Sequence, residues 1–342
     1  MDNYPISSNS LEKFFHINGN LLGQQYKEHL SDYKTWDQKD HAREWMLYPE
    51  NMGPYLSLDE TSLSNGELYT ILTNKQGKGK KGTLIAMIEG TQADDVIAVL
   101  NRIPQHLRLL VKEVTLDMAG SMNKIVRRCF TKASLVIDRF HVQKLAYDAL
   151  QEIRIAHRWE AINEETNDLE NARLNNEKYV PVTFANGDTK KQLLARSRYL
   201  LFKSAEKWTE KQKQRVQILF GQYPDLKKAY TLTHSLRMIF AHTTTKGVAY
   251  TKLARWYNDI TDSGFDSFNS ISATIYAHYP NILNFFDNRS TNASAESFNA
   301  KIKAFRATQR GVTDIPFFLF RLSNIYGSSG NVVEEKKYFF LC

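Results

Sequence analysis

The chain has 342 residues, with 45 Lys+Arg against 37 Asp+Glu for a formal net charge of +8. Apolar residues make up 42%, among them 17 Tyr and 19 Phe, which supplies a sizeable core and excludes disorder over most of the length. No apolar run approaches the roughly 18 residues of a membrane helix, no basic-then-apolar leader opens the chain, and Cys129 and Cys342 alone make neither a disulfide framework nor a zinc site. The expectation is a soluble, cytoplasmic, mildly basic protein with no membrane partner.

Residues 1–50 are polar, with weak helical patterns around Leu21–Tyr33 and His41–Leu47. Tyr55–Leu58 is a short strand candidate. Glu67–Asn74 and Thr83–Glu89 are rich in β-branched and apolar residues and flank a glycine-rich turn, the pattern of a hairpin. Gly77-Lys78-Gly79-Lys80-Lys81-Gly82 spells a literal G-x-G-x-x-G, but a strand pattern follows it where a dinucleotide site needs a helix. It reads instead as a basic hairpin tip, from which Lys75, Lys78, Lys80 and Lys81 could reach phosphate. A helix opens at Thr91, with Val96, Val99, Leu100 and Ile103 as its apolar face, and Pro104 ends it. Then come a strand at Val111–Leu116, a helix over Ser121–Phe130, a short strand at Leu135–Ile137, and a long helix from Val142. The order predicts a mixed sheet with flanking helices.

From 151 to 290 no strand pattern appears, and Leu193, Leu194, Leu200, Leu201, Val216, Leu219 and Phe220 predict helices with apolar faces. The positive charge concentrates here. Residues 190–228 hold eleven Lys and Arg against Glu206, Glu210 and Asp225, so this segment alone carries the net excess of the whole chain. Two readings stay open: a polyanion partner, whose binding would release counterions, or a solvated helix face. Lys207 and Lys211 are candidate polyanion contacts. Trp208 is either a further contact or, on residue type, a core residue. A last strongly patterned helix covers Asn292–Arg310, and the tail 327–342 is expected to be loose, with its final YFFLC able to dock. The predicted organisation is an N-terminal helical or linker region 1–50, a core in two parts at 51–150 and 291–326 around the basic helical insertion 151–290, and the tail.

Three acids stand out. Asp59 follows Tyr55–Leu58, Asp117 follows Val114–Leu116, and Glu296 lies in the last helix. Neighbouring strands that end in Asp can present both carboxylates to one divalent cation, and Mg²⁺ prefers such hard oxygen ligands. Two ions about 3.5–4 Å apart can activate an attacking oxygen and stabilise a leaving one in phosphodiester chemistry. The alternatives are a turn or N-cap role for either Asp and a dipole-complementing role for Glu296. On the last helix, Phe298, Ile302 and Phe305 form an apolar face, while Glu296, Ala300, Lys303 and Arg310 follow another that aligns a carboxylate with cations. Asp138 and His141, in VIDRFHV, form a second cluster: a further metal-proximal acid with a His aiding phosphate binding or proton transfer, or an N-cap with a packed His.

At these residues the chain resembles the DDE transposases of bacterial insertion sequences, most closely the ISL-three group and a Bacteroidetes-type branch of it. The stretches that carry the resemblance are LSLDETSLSNGELYTILTNKQGKGKKG, GTQADDVIAVL, VKEVTLDMAGSM, ASLVIDRFHVQKLAYDALQEIR and NASAESFNAKIKAFRATQRG, spread over about residues 45–325. The resemblance implies an RNase H-like core interrupted by an all-helical insertion before the last acid. It implies Asp59, Asp117 and Glu296 as a catalytic, metal-binding triad for Mg²⁺ or Mn²⁺, as two ions, with Asp138 and His141 as auxiliary residues. Lys303, Arg306 and Arg310 would hold DNA phosphates near the site. The implied activity is metal-dependent strand cleavage and strand transfer by a homo-oligomer on DNA, in a bacterial, nucleoid-associated setting. Many relatives carry N-terminal zinc-binding or helix-turn-helix readers, and no Cys cluster precedes Asp59 here, so a separate small DNA-reading protein of the same element is the expected source of end recognition. The rival expectations are an RNase H-like nuclease that does not join strands, and a non-catalytic DNA-binding remnant.

Overall fold

The computed structural model describes residues 1–63 and 66–327; the expected loose tail and its docking YFFLC lie outside the described residues. The chain divides into two compact units, one comprising Met1–Asp138 with the chain from Ser290 onward, the other Arg139–Arg289. Among the described residues no helix is long and apolar enough to cross a membrane.

The first unit is built on a six-stranded mixed sheet: β1 Trp45–Leu47, β2 Tyr55–Ser62, β3 Leu68–Asn74, β4 Leu84–Glu89, β5 Glu113–Leu116 and β6 Ser134–Ile137. The spatial order is β1-β4-β3-β2-β5-β6. β2, β3 and β4 form an antiparallel meander, and β5 and β6 extend it in parallel with β2. Helices Ala93–Leu100 and Gly120–Cys129 supply the crossovers that parallel pairing needs. This is the RNase H-like mixed sheet that the resemblance implies.

Two local expectations change. His41–Leu47 does not form a helix: Trp45–Leu47 pairs with β4, with Met46 fully buried. Edge pairing and burial outweigh a weak helical pattern here. β2 also runs past Leu58 to Ser62, so Asp59 lies within the strand rather than after it. The hairpin tip is as read: Lys78, Gly79 and Gly82 adopt φ of 51°, 68° and 83°, and strand β4 follows. The left-handed backbone is what the glycines permit.

One face of the sheet carries the last helix, Ala293–Thr308. Its Phe298, Ile302 and Phe305 pack with Tyr69, Ile71 and Met87 of the sheet and with Phe318, Leu319 and Leu322 of helix Ile315–Leu322 in one buried cluster. The predicted apolar face is therefore a core face. Arg321 of the neighbouring helix is 1% exposed, and its guanidinium donates to the carbonyls of Met1, Tyr4 and Ile6, which ties the N-terminal segment down.

The second unit is helical throughout, from the 36-residue helix Arg139–Leu174 to the short helix Phe285–Asn288. Capping boxes at Thr189–Gln192 and Thr209–Gln212 start two of its helices, each satisfying two orphan amide donors. Trp208 is half-buried. Its indole donates to Leu200 O at 3.0 Å and its ring lies 5.4 Å from Tyr230, so it has a packing role. Much of the basic segment is compensated by acids that flank it: Lys190 pairs with Glu164, Lys191 with Glu165, and Arg196 and Arg215 both with the fully buried Asp188. Lys207 and Lys211 remain exposed.

His157 lies between Asp225, 2.5 Å from Nε2, and Glu160, 3.0 Å from Nδ1. Burial lowers its pKa, but the two carboxylates outweigh burial and hold it above the usual histidine value. A raised folded value stabilises the fold below the unfolded pKa, near 6.5, and that gain is lost as pH rises through the folded value. His157→Gln is thus expected to lower the melting temperature more at pH 6 than at pH 9. Equal losses at both pH values would refute a charged His157.

Candidate active site

Strand register brings the acids together. Ser57 of β2 pairs with Thr115 of β5 in parallel, and two residues further on stand Asp59 and Asp117. Leu116 of β5 pairs with Ile137 of β6, and one residue further on stand Asp117 and Asp138. The Asp138 amide still donates to Leu116 O at 3.0 Å, so the ladder continues through this point. Three aspartates thus occupy one row across three adjacent parallel strands. Residues in register point to the same face, and Asp59 pairs with Ile71, whose side chain packs under the last helix.

That helix lies over the row. Just before it, the Asn292 amide donates to Asp138 Oδ2 at 3.1 Å. One turn in, Glu296 presents a carboxylate oxygen within 4.8 Å of one from Asp138. Further on, Asn299 Nδ2 donates to Asp59 Oδ2 at 2.8 Å and to Glu60 O at 3.1 Å. The helix therefore spans from Asp138, just past β6, to Asp59 on β2, across the position of Asp117. Backbone amides orient the remaining oxygens: Glu60 N–H donates to Asp59 Oδ1 at 2.9 Å, and Ala119 N–H to Asp117 Oδ1 at 2.7 Å.

The electrostatics agree with a convergence of acids. Glu60 has its pKa raised, first by burial and then by the charges of Asp117 and Asp59. Like charges gathered in a partly desolvated space are unfavourable without a compensating cation. Asp138 and Glu296 each offer a carboxylate oxygen there, the donor type that suits a hard divalent ion. Beside Asp138, the side chain of Asn292 is fully buried, and neither its Oδ1 nor its Nδ2 has a hydrogen-bond partner among the described residues; Asn299 Oδ1 is in the same condition. Such orphaned groups mark a place where water or an ion belongs.

The other candidates are placed as follows. His141 is half-buried, three residues beyond Asp138 on the long helix that begins the second unit. Lys303 and Arg310 are exposed. Arg306 is half-buried and donates to Leu63 O at 2.9 Å, which buttresses the end of β2. Asn292, Asn299 and Glu60 were not singled out in the sequence. Asn299 had a signal there, since it stands three residues after Glu296 and so on a neighbouring position of the same helix.

The profile of a family described as transposase, the DDE type of the ISL-three group, matches residues 56–322. The chain belongs to the ISL-three family of DDE transposases. The matched span runs from the strand of Asp59 to the helix that follows Glu296, so all the acids of this transposase lie within it. Among curated proteins none matches. A solved structure, the Drosophila P element transposase strand transfer complex, aligns over 93% of this chain and 91% of that one, at 9% identity and a TM-score of 0.38. That likeness is too slight to carry any argument. Family membership makes this protein a DNA transposase, an enzyme that processes DNA.

Proposed function

We propose that this transposase cuts and joins DNA strands with Asp59, Asp117 and Glu296 as the acids that hold divalent metal, and with Asp138 beside them. The observation that carries the proposal is the row into which the parallel registers of β2, β5 and β6 lead Asp59, within its strand, and Asp117 and Asp138, just past theirs, beneath the helix that bears Glu296. Mg²⁺ or Mn²⁺, as one ion or two, would supply Lewis-acid stabilisation of the oxygens at the phosphorus. The chain's own residues do the positioning. Asn299 holds one oxygen of Asp59 and the Glu60 amide the other. The Ala119 amide holds one oxygen of Asp117. Lys303 and Arg310, exposed on and just after the same helix, are the proposed phosphate contacts near the acids, with Arg306 between them. In the helical unit, Lys207 and Lys211 are proposed to contact DNA further off.

The same reading takes the transposase to work as a homo-oligomer on DNA. What supports this is helix Arg139–Leu174, where Ile155, Trp159 and Leu169 are exposed along one face. Recognition of the element's ends by a separate small protein belongs to the proposal as well.

The test is a strand-transfer assay with precut element ends, target DNA and Mg²⁺. Joined product is the expected result. Hydrolysis without joining would favour a nuclease, and DNA binding with neither activity would favour a non-catalytic remnant. A narrower prediction concerns Asn299. Removing a residue that orients a metal-holding carboxylate costs about 10- to 100-fold in activity or metal affinity. Asn299→Ala is expected to lower cleavage by that factor with its thermal melt little changed. A full-rate variant would remove Asn299 from the site.

A further inference from the structure

The helix that carries Glu296 also builds one wall of a second feature. An open cleft of about 560 Å³ lies between that helix, the basic hairpin tip and the N-terminal segment. Phe305 and Tyr326 contribute to its apolar floor; Lys80, Lys81 and Lys301 bring ammonium groups, and Tyr4, 71% exposed, stands at the opening. None of its lining residues is acidic. Elsewhere in the chain basic side chains commonly pair with carboxylates, as Lys190, Lys191, Lys213 and Lys246 do. Lys78, Lys80 and Lys81 are exposed and have no ion-pair partner among the described residues.

The cleft is held in shape. Lys301 Nζ donates to Gly79 O at 2.7 Å, and Gly82 N–H donates to Tyr326 O at 3.1 Å, so the tip is fastened to the helix and to Tyr326 beyond it. Gly79 has φ of 68°, a backbone conformation that strains an L side chain, and a Cβ there would crowd Lys301 Nζ at 2.6 Å, so glycine favours this contact. On the opposite wall, Arg321 holds the Tyr4 carbonyl at 3.1 Å. A concentration of unpaired lysines on a preorganised wall, with an exposed aromatic ring facing it, is the chemistry that binds a nucleic-acid strand.

We propose that this cleft is a DNA-backbone site of the transposase, separate from the acids. Lys80 and Lys81 contact successive phosphates, and Tyr4 provides a surface for a sugar or base. The proposal rests on the DNA transposase reading and adds to it a position. Lys301 and Thr308 lie five and twelve residues beyond Glu296, about 7 and 18 Å along the helix at ~1.5 Å per residue. At about 3.4 Å per nucleotide that axial span alone corresponds to roughly two to five nucleotides, and because both positions are turned by more than about 100° from Glu296, the path around the helix adds to it.

The experiment is fluorescence anisotropy of the full chain with a labelled DNA duplex, and with the same sequence single-stranded, across a salt series. The variants are Lys80→Gln/Lys81→Gln and the charge reversal Lys80→Glu/Lys81→Glu, each checked by thermal melting. Each phosphate contact contributes about 0.9 to the slope of log K against log salt on duplex DNA. The glutamine pair is expected to lose about 1.8 from that slope and on the order of tenfold to a hundredfold in affinity at ~0.1 M salt. Charge reversal should lose more. Variants that melt as the wild type does and keep its slope and affinity would overturn the cleft as a DNA site. Absence of any salt-dependent binding by the wild type, to duplex or single strand, would instead overturn the DNA reading on which the cleft rests.

Discussion

Asp117→Asn is expected to stop DNA strand cleavage, with a fall of at least about a thousandfold, the scale of losing a group that stabilises charge in the transition state. Asp117 is the residue of choice because it is central: Asp59 stands to one side of it on β2 and Asp138 to the other, just past β6. Asparagine keeps the shape and can still accept the Ala119 amide, so the fold and DNA affinity should survive. The measurement is Mg²⁺-dependent cleavage of an element-end duplex, with binding of the uncut duplex followed in parallel. Cleavage at the wild-type rate would remove Asp117 from the site. Asp138→Asn, run alongside, discriminates further, because Asp138 is the aspartate whose carboxylate lies within 4.8 Å of that of Glu296. A loss as large as that of Asp117→Asn would make Asp138 a full member of the acid set, not an auxiliary.

Asp188→Asn is expected to destabilise the helical unit by about 3 kcal/mol, the scale of breaking a buried ion pair. Asp188 is fully buried at the start of the basic segment. It accepts from Arg215 Nε at 2.8 Å, from Asn186 Nδ2 at 2.8 Å, and from Arg196. With asparagine there, two guanidinium groups lose their anion. Burial pushes the Asp188 pKa up, but Arg215 and Arg196 outweigh it and hold the carboxyl below its ordinary range. A depressed folded value gives stability that is complete above the unfolded pKa, about 3.9, and is lost as pH falls through the folded value. The gap in melting temperature between wild type and variant should be full at pH 7 and should narrow below about pH 4. A gap that stays constant into acid would show that the carboxylate charge contributes nothing.

The sheet was legible because its strands are apolar and β-rich, bounded by turn residues, as in ELYTILTN and TLIAMIE. β1 was not, since three residues carry no period and Trp45–Leu47 is a strand only because β4 offers it an edge. Asp59, Asp117 and Asp138 could each be read as strand-end acids, but their alignment in one row depends on parallel register, which no single segment contains. The charge of the basic segment was visible while its compensation was not: Glu164, Glu165 and Asp188 lie outside residues 190–228 and meet its cations only after folding. Asn292 and Asn299 were hidden for a related reason. Asparagine is common at helix starts and on helix surfaces, and only the tertiary fold shows Asn299 on Asp59 and the Asn292 amide on Asp138.

The hydrogen bond from the Asn292 amide to Asp138 joins two points separated by the entire helical unit. It also sets an order in time. On a ribosome adding about 5–20 residues per second, Glu296 is made roughly eight to thirty seconds after Asp138. Throughout that interval the nascent chain has its aspartates but lacks both the glutamate and the helix that covers them. A chain that terminates early, or is clipped within the helical unit, inherits the same incompleteness. On the role proposed for Glu296, cutting competence is acquired late in synthesis, and a fragment released before that point lacks it.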